Sequence, residues 1–307
     1  VVKIKKNTSY PKAYRVTWAK DKADKVFKIA KILDQADAQK AVTIALQSMS
    51  PKVLSAIKRK NIDGGKLVDF IELYNKNNIA SYIELILGLP EETLDSFING
   101  ICSIMEYDFH NYLDIHLMMV LPNAPISSLD YRKKYGIKTS ETQPRFSHRS
   151  NPEKLVADTI EIITETNTCS KKDWIEAHQF RWLIIFGHYL GPLQFISRSL
   201  RKIYNIKYKS FYTNLLNFSK NNPDTFIGKE YSIIIKNLNS ILNNKRHWGD
   251  VISEAGNINW EVDEATCIRL TNNKDKFYSE IRKFVTESFD TKFDNNLIDE
   301  IFDYQKY

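Results

Sequence analysis

Three groups of polar residues have the types and spacing to do chemistry. Glu84 and Glu91 flank Gly88 in the run Glu-Leu-Ile-Leu-Gly-Leu-Pro-Glu, and paired carboxylates are what acid–base cleavage of a glycosidic bond requires. Gln47 and Ser48 follow an apolar run and supply donors and acceptors where a strand would end. Trp18 and Lys20 close an earlier run and are candidates to face a substrate. The histidines carry less. His110 and His116 flank a strand-like run, and His178 and His188 share a helical stretch with Glu176 without the i, i+4 spacing of a metal-binding face. Cys102, Cys169 and Cys267 lie dozens of residues apart, which suits neither a disulfide framework nor a compact metal motif. The expectation is a reducing, cytoplasmic compartment and no metal held by this chain.

The elements that must position these residues can be read from periodicity. Residues 14–19, 41–46, 81–87 and 113–121 read as strands, the second an almost unbroken apolar run of the kind covered by helices on both faces. Between them, Val26, Ile29, Ala30 and Leu33 form one helical stripe, and Leu67, Phe70, Ile71 and Tyr74 another. Ser50-Pro51 reads as an N-cap with proline at the first helical position, opening a helix that buries Val53, Leu54 and Ile57. Leu94, Phe97, Ile98 and Ile101 carry the helix after Gly88-Leu-Pro, with Glu91 and Glu92 where its dipole favours negative charge. Strand–helix alternation at this spacing implies parallel crossovers, and four strands suit either part of a barrel, which would set them adjacent and in chain order, or part of an open doubly wound sheet.

The pattern changes near Pro122. Residues 123–149 read as a long strap, 159–166 as a possible strand, and Ser170-Lys-Lys-Asp173 as a capping box before Trp174. From there the chain reads as mostly helical, with Tyr231, Ile234, Ile235, Leu238, Ile241 and Leu242 on one stripe and only residues 258–270 extended. Tyr204, Tyr208, Phe211 and Tyr212 beside Lys207 and Lys209 read as a helix core with snorkelling lysines. A hydrophobic content of 43% against 26% charged residues describes a folded chain rather than a disordered one. The net charge of +7 comes from lysines scattered among acids, a solvated surface rather than a nucleic-acid footprint. Residues 182–196 are too short and too interrupted to span a bilayer. The chain opens on Val1 in a dense segment, so its true start is expected upstream.

Two of these segments carry a resemblance. Leu46-Gln-Ser-Met-Ser-Pro51, with Val53, Leu54, Ile57 and Arg59, resembles the fourth barrel strand and following helix of radical SAM enzymes. The run from Glu84 to Glu91 resembles their fifth-strand motif G-x-I-x-G-x-x-E, with Ile86, Gly88 and Glu91 in register and Glu84 replacing the first glycine. Residues 117–125 resemble the sixth strand and its exit, and the combination is similar to the subgroup with an upstream cobalamin-binding domain.

The resemblance implies an α/β fold: part of a parallel (β/α) barrel, strands three to six, over residues 1–126. A strap over 127–168 and a mainly α-helical domain over 169–307 would follow. It implies that Gln47, Ser48, Glu84, Ile86, Gly88, Glu91 and the backbone of Val120 and Leu121 cradle S-adenosylmethionine (SAM). Gly88 would admit the ligand, Ile86 would pack on adenine, and Val120 and Leu121 would read its edge. Arg59 reads as a helix-surface cation, the alternative being a role in holding the SAM carboxylate or a neighbouring acid. It also implies that a C-x-x-x-C-x-x-C loop holds a [4Fe–4S] cluster upstream, in the same polypeptide but not in this chain, where no such triplet exists. The whole protein would then cleave SAM to a 5′-deoxyadenosyl radical and, with cobalamin, transfer a methyl group to an unidentified small molecule; this chain alone would be inactive. Two other readings stay open: a binding or scaffold module that kept the fold, and an unrelated α/β barrel hydrolase using Glu84 and Glu91.

Overall fold

The computed structural model describes residues 1–14, 23–61, 64–144, 147–149, 159–243 and 248–306. It divides into two compact units, Val1–Ile86 with Gly100–His116, and Leu87–Asn99 with Leu117–Tyr307.

In the first unit, the short helix α1 (Val2–Thr8) precedes α2 (Ala23–Asp34), β1 (Val42–Gln47), α3 (Pro51–Ala56), α4 (Gly64–Lys76), β2 (Ser81–Leu87), α5 (Leu94–Glu106) and β3 (Tyr112–Leu117). The strands form a parallel three-stranded sheet in chain order, with Thr43 opposite Tyr82 and Ala45 opposite Glu84. Alternate residues Val42, Ile44, Leu46, Ile83, Leu85, Leu113 and Ile115 are buried, as period two dictates for a sheet with one covered face. The matching helical stripes are Val26, Ala30 and Leu33; Leu67, Phe70, Ile71 and Tyr74; and Ile101 and Met105. Each such side chain contributes about 1.5–3 kcal/mol on full burial. Ile29, expected on the first stripe, is 46% exposed because it falls off the arc that Val26, Ala30 and Leu33 bury. Among the described residues the sheet has three strands and no closed barrel. Tyr14 makes a parallel bridge to Gln39; the rest of the expected strand at 14–19, with Trp18 and Lys20, lies outside the described residues.

The second unit corrects three expectations. The strand expected over 113–121 leaves its sheet at Leu117: the Val120 N–H donates to the Glu161 carbonyl, and Met119 bridges Ile162 antiparallel. The expected strap contains α6 (Leu129–Tyr135) and β4 (Lys138–Thr142), which pairs antiparallel with β5 (Ile160–Glu165). Arg132 and Glu161 tie helix to hairpin by two parallel 2.7 Å bonds. These segments lack a strong apolar period, so local sequence does not announce them.

Next come α7 (Lys171–Ile184), a π-turn over Ile185–Tyr189, α8 (Gln194–Tyr204), α9 (Tyr208–Asn221) and α10 (Phe226–Leu242). They are followed by the small hairpin β6 (Asp250–Ile252) and β7 (Ile258–Trp260), then α11 (Val262–Thr271), α12 (Lys274–Ser288) and α13 (Asn295–Lys306). Residues 258–270, expected to be extended, are extended only to Trp260. Glu261 and Glu264 then form a capping box that starts a helix. Helix α7 is buried on every side from Ala177 to Ile184, and packs on β5, α9, α10 and α11. Such a helix is the centre of its domain. No helix among the described residues is long and apolar enough to cross a membrane.

The start of α7 is as the sequence indicates. Ser170 Oγ accepts the Asp173 N–H at 3.1 Å and Asp173 accepts the Ser170 N–H at 3.0 Å. Ser170→Ala is expected to cost about 1 kcal/mol in urea unfolding. The Ser170 hydroxyl, more than its backbone N–H, holds the Asp173 carboxyl below its usual range. A depressed carboxyl stabilises above its unfolded value, so this contribution is present near neutrality and lost as pH falls through the carboxylate range.

Candidate functional site

The first unit leaves one face of its sheet half open. Thr43, Ala45 and Gln47 of β1, Tyr82, Glu84 and Ile86 of β2, and Asp114 and His116 of β3 alternate with the buried set. Parallel α/β folds bind ligands at the carboxyl ends of strands, and Gln47 is the last residue of β1. There the chain turns within three residues. The Ser48 N–H donates to the Leu46 carbonyl at 2.9 Å, with Gln47 in the middle at φ +70°. A left-handed non-glycine residue of this kind stores about 1–3 kcal/mol and is characteristic of functional positions. Ser48 is buried; its Oγ accepts the Ser50 N–H at 3.0 Å, and its carbonyl accepts Asn61 Nδ2 at 2.7 Å. The Ser50 side chain makes no capping hydrogen bond to α3, and the Ser48 hydroxyl instead holds the Ser50 N–H just ahead of the helix.

Glu84 lies on the open face with its side chain 23% exposed. The group nearest to pairing with it is His116, whose Nε2 is 4.0 Å from Glu84 Oε1 and 3.5 Å from Asp114 Oδ2. Sequence reasoning gave His116 no role beyond flanking a strand and passed over Asp114. Their signal was the period-two spacing Asp114-x-His116, which sets both on the face that carries Glu84.

In the second unit Gly88 is buried at φ +101°. A Cβ there would lie 3.0 Å from the Ile163 carbonyl oxygen and 3.4 Å from Met118 Cβ. What stands where a side chain at 88 would go is protein, which gives this glycine a packing role of its own. Glu91 is left-handed at φ +64°. Its neighbour Glu92 is buried and accepts the Ser96 hydroxyl ahead of α5. The Val120 N–H is engaged by β5, the Leu121 carbonyl accepts the Ala124 N–H at 3.2 Å, and the Leu121 side chain is exposed.

The thiols do not fit an iron–sulfur cluster. Cys102 is buried, and burial followed by neighbouring acids pushes Cys169 and Cys267 up to about 12, whereas cluster ligation takes thiolates. Among the described residues no three His, Cys, Asp or Glu side chains are placed so that they could hold a metal ion together.

No family model matches the chain. It is 30% identical over 288 residues to the cobalamin-dependent radical SAM methyltransferase TokK of Streptomyces tokunonensis, covering 90% of this chain and 42% of that protein. It is 31% identical over 290 residues to the 2-(S-pantetheinyl)-carbapenam-3-carboxylate methyltransferase of Streptantibioticus cattleyicolor, covering 91% and 42%. The chain therefore spans about two-fifths of the length of the curated relatives it matches. The resemblance to cobalamin-type radical SAM enzymes is borne out by these homologues. Two structures of the radical SAM methyltransferase TsrM of Kitasatospora setae were also found. One, with cobalamin and a [4Fe–4S] cluster bound, has a TM-score of 0.30 at 16% identity over 37% of this chain and 22% of that one. The other, with tryptophan substrate and a SAM analogue bound, scores 0.33 at 13% identity over 49% and 32%. Scores this low carry no argument about the fold.

Proposed function

We propose that this chain is the SAM-cradling and downstream part of a cobalamin-dependent radical SAM methyltransferase acting on a small molecule. Homology across nine-tenths of the chain to enzymes of that kind is the observation that carries the reading. It also removes the reason for reading Glu84 and Glu91 as a hydrolase pair. The thiols do not fit the [4Fe–4S] cluster, so its ligands belong to an upstream part of the same polypeptide, and no residue here is assigned to cobalamin.

The chain's own contribution is to bind and orient SAM. Gln47, at the turn that ends β1, and Ser48 beside it supply hydrogen bonds for the ribose or methionyl group. Ile86 offers an apolar surface for adenine, and Glu84 a carboxylate on the same strand face. Gly88, Glu91, Val120 and Leu121 are carried over from the resemblance alone, as are Trp18 and Lys20 toward the substrate.

The test compares the 307-residue chain with the full-length protein, both reconstituted anaerobically with iron and sulfide. The full-length protein, with reductant and SAM, is expected to release 5′-deoxyadenosine or a methylated product. The chain alone is expected to take up no cluster and release neither. A stoichiometric cluster in the chain alone would sink the upstream placement, and a full-length protein that does not bind SAM would sink the reading itself.

A further inference from the structure

The open face of the β1–β3 sheet carries a titratable cluster in which the SAM cradle accounts for Glu84 but not for Asp114 or His116. Asp114 Oδ2 and Glu84 Oε1 both approach His116 Nε2, at 3.5 and 4.0 Å. Neither carboxylate receives a hydrogen bond from the described residues, although Glu84 is more than three-quarters buried and Asp114 more than two-thirds. A carboxylate withdrawn from water to that extent without a donor is costly. On β1 the register partner of Glu84 is Ala45, whose side chain is a single methyl. Two carboxylates against one imidazole leave net negative charge in either protonation state of the ring. The complement of such a surface is a cation.

We infer that Glu84 and Asp114, spaced by His116, make this face select the sulfonium of SAM over the neutral thioether that remains after its methyl group is lost. The inference rests on the SAM reading above. SAM and S-adenosylhomocysteine share adenine, ribose, amino and carboxylate groups and differ by one methyl and one positive charge. Contacts to the shared groups affect both ligands equally, whereas the charge of this face separates them. The field of a carboxylate is screened far less at a partly buried position than in bulk water, so one charge there is felt over the width of a strand pair. The face would thereby hold the methyl donor and favour release of the spent cofactor.

Calorimetric titration of both ligands into the full-length protein tests this, with melting curves as the fold control. Glu84→Gln is expected to weaken SAM about tenfold and S-adenosylhomocysteine less than about twofold, because it removes charge and keeps shape. His116→Lys, at a ring that is nearly half exposed, adds a fixed positive charge and is expected to lower the same preference without unfolding the protein. Both ligands weakening in parallel in Glu84→Gln would overturn the inference and assign the carboxylate to a shared group. A preference unchanged in both variants would overturn it too. Wild-type protein that binds neither ligand would instead overturn the SAM reading on which it stands.

Discussion

Gly88→Val lowers the unfolding free energy by about 3 kcal/mol or more, through backbone strain and overlap together. At φ +101° an L side chain is already strained, which costs about 1–3 kcal/mol. The new Cβ would also lie 3.0 Å from the Ile163 carbonyl oxygen, a backbone atom that cannot swing away. Nor can the surroundings shift cheaply. The Ile163 N–H donates to the Met118 carbonyl at 2.9 Å, and the Met118 N–H donates to the Leu87 carbonyl at 2.8 Å. Valine adds two γ-methyls where Met118 and Ile163 already stand. Urea unfolding of Gly88→Ala and Gly88→Val should show alanine losing part of the stability and valine most of it. A valine variant within about 0.5 kcal/mol of wild type would mean that β5 does not lie against residue 88. The same variant was the natural choice for blocking SAM. Its structural cost means that a loss of SAM affinity would not by itself place the cofactor there.

Arg269→Ala costs about 3–5 kcal/mol, the range for removing one partner of a buried ion pair. Arg269 grips Glu230 through Nε and Nη2, each at 2.7 Å, and reaches Asp250 at 3.4 Å. Thr266 Oγ1 lies 3.0 Å from Glu230 and accepts the Trp182 indole N–H at 3.1 Å, while Asn237 donates to Asp250 at 3.0 Å. The network therefore joins the central helix α7 to α10, α11 and β6. Only 4% of the Glu230 side chain is exposed, so without Arg269 its charge keeps the Thr266 hydroxyl but loses its counter-ion, with little access to water. Replacing both residues by methionine is expected to recover part of the loss, because two apolar groups of similar volume leave no stranded charge on Glu230. Guanidinium unfolding of the single and double variants measures the difference. A double variant less stable than Arg269→Ala would mean that the pair contributes more than its desolvation costs.

Short-range physics made much of this chain legible in its sequence. The alternating run in β2, the stripe Leu67, Phe70, Ile71, Tyr74 and the Ser170–Asp173 box each bury or satisfy groups within a few residues of one another. Their spacing therefore reports the outcome directly. The Cys102 position as core filler follows from its helical stripe in the same way. The motif from Glu84 to Glu91 carried the family resemblance for a related reason, since it lies on one continuous strand and turn.

Tertiary structure decided whatever depends on a partner distant in the chain. The segment after Leu117 leaves the β1–β3 sheet, and Met119 and Val120 go to β5, although periodicity alone continues the strand. The helix and strand inside the expected strap exist because β5 offers an edge and Glu161 a carboxylate for Arg132. Gly88 is a glycine at least in part because Ile163, seventy-five residues on, takes the space beside it. His116 and Asp114 become part of a site only when β3 sets them beside β2, where Glu84 waits without a donor. Periodicity records which face a residue occupies; only the packed chain determines what stands opposite that face.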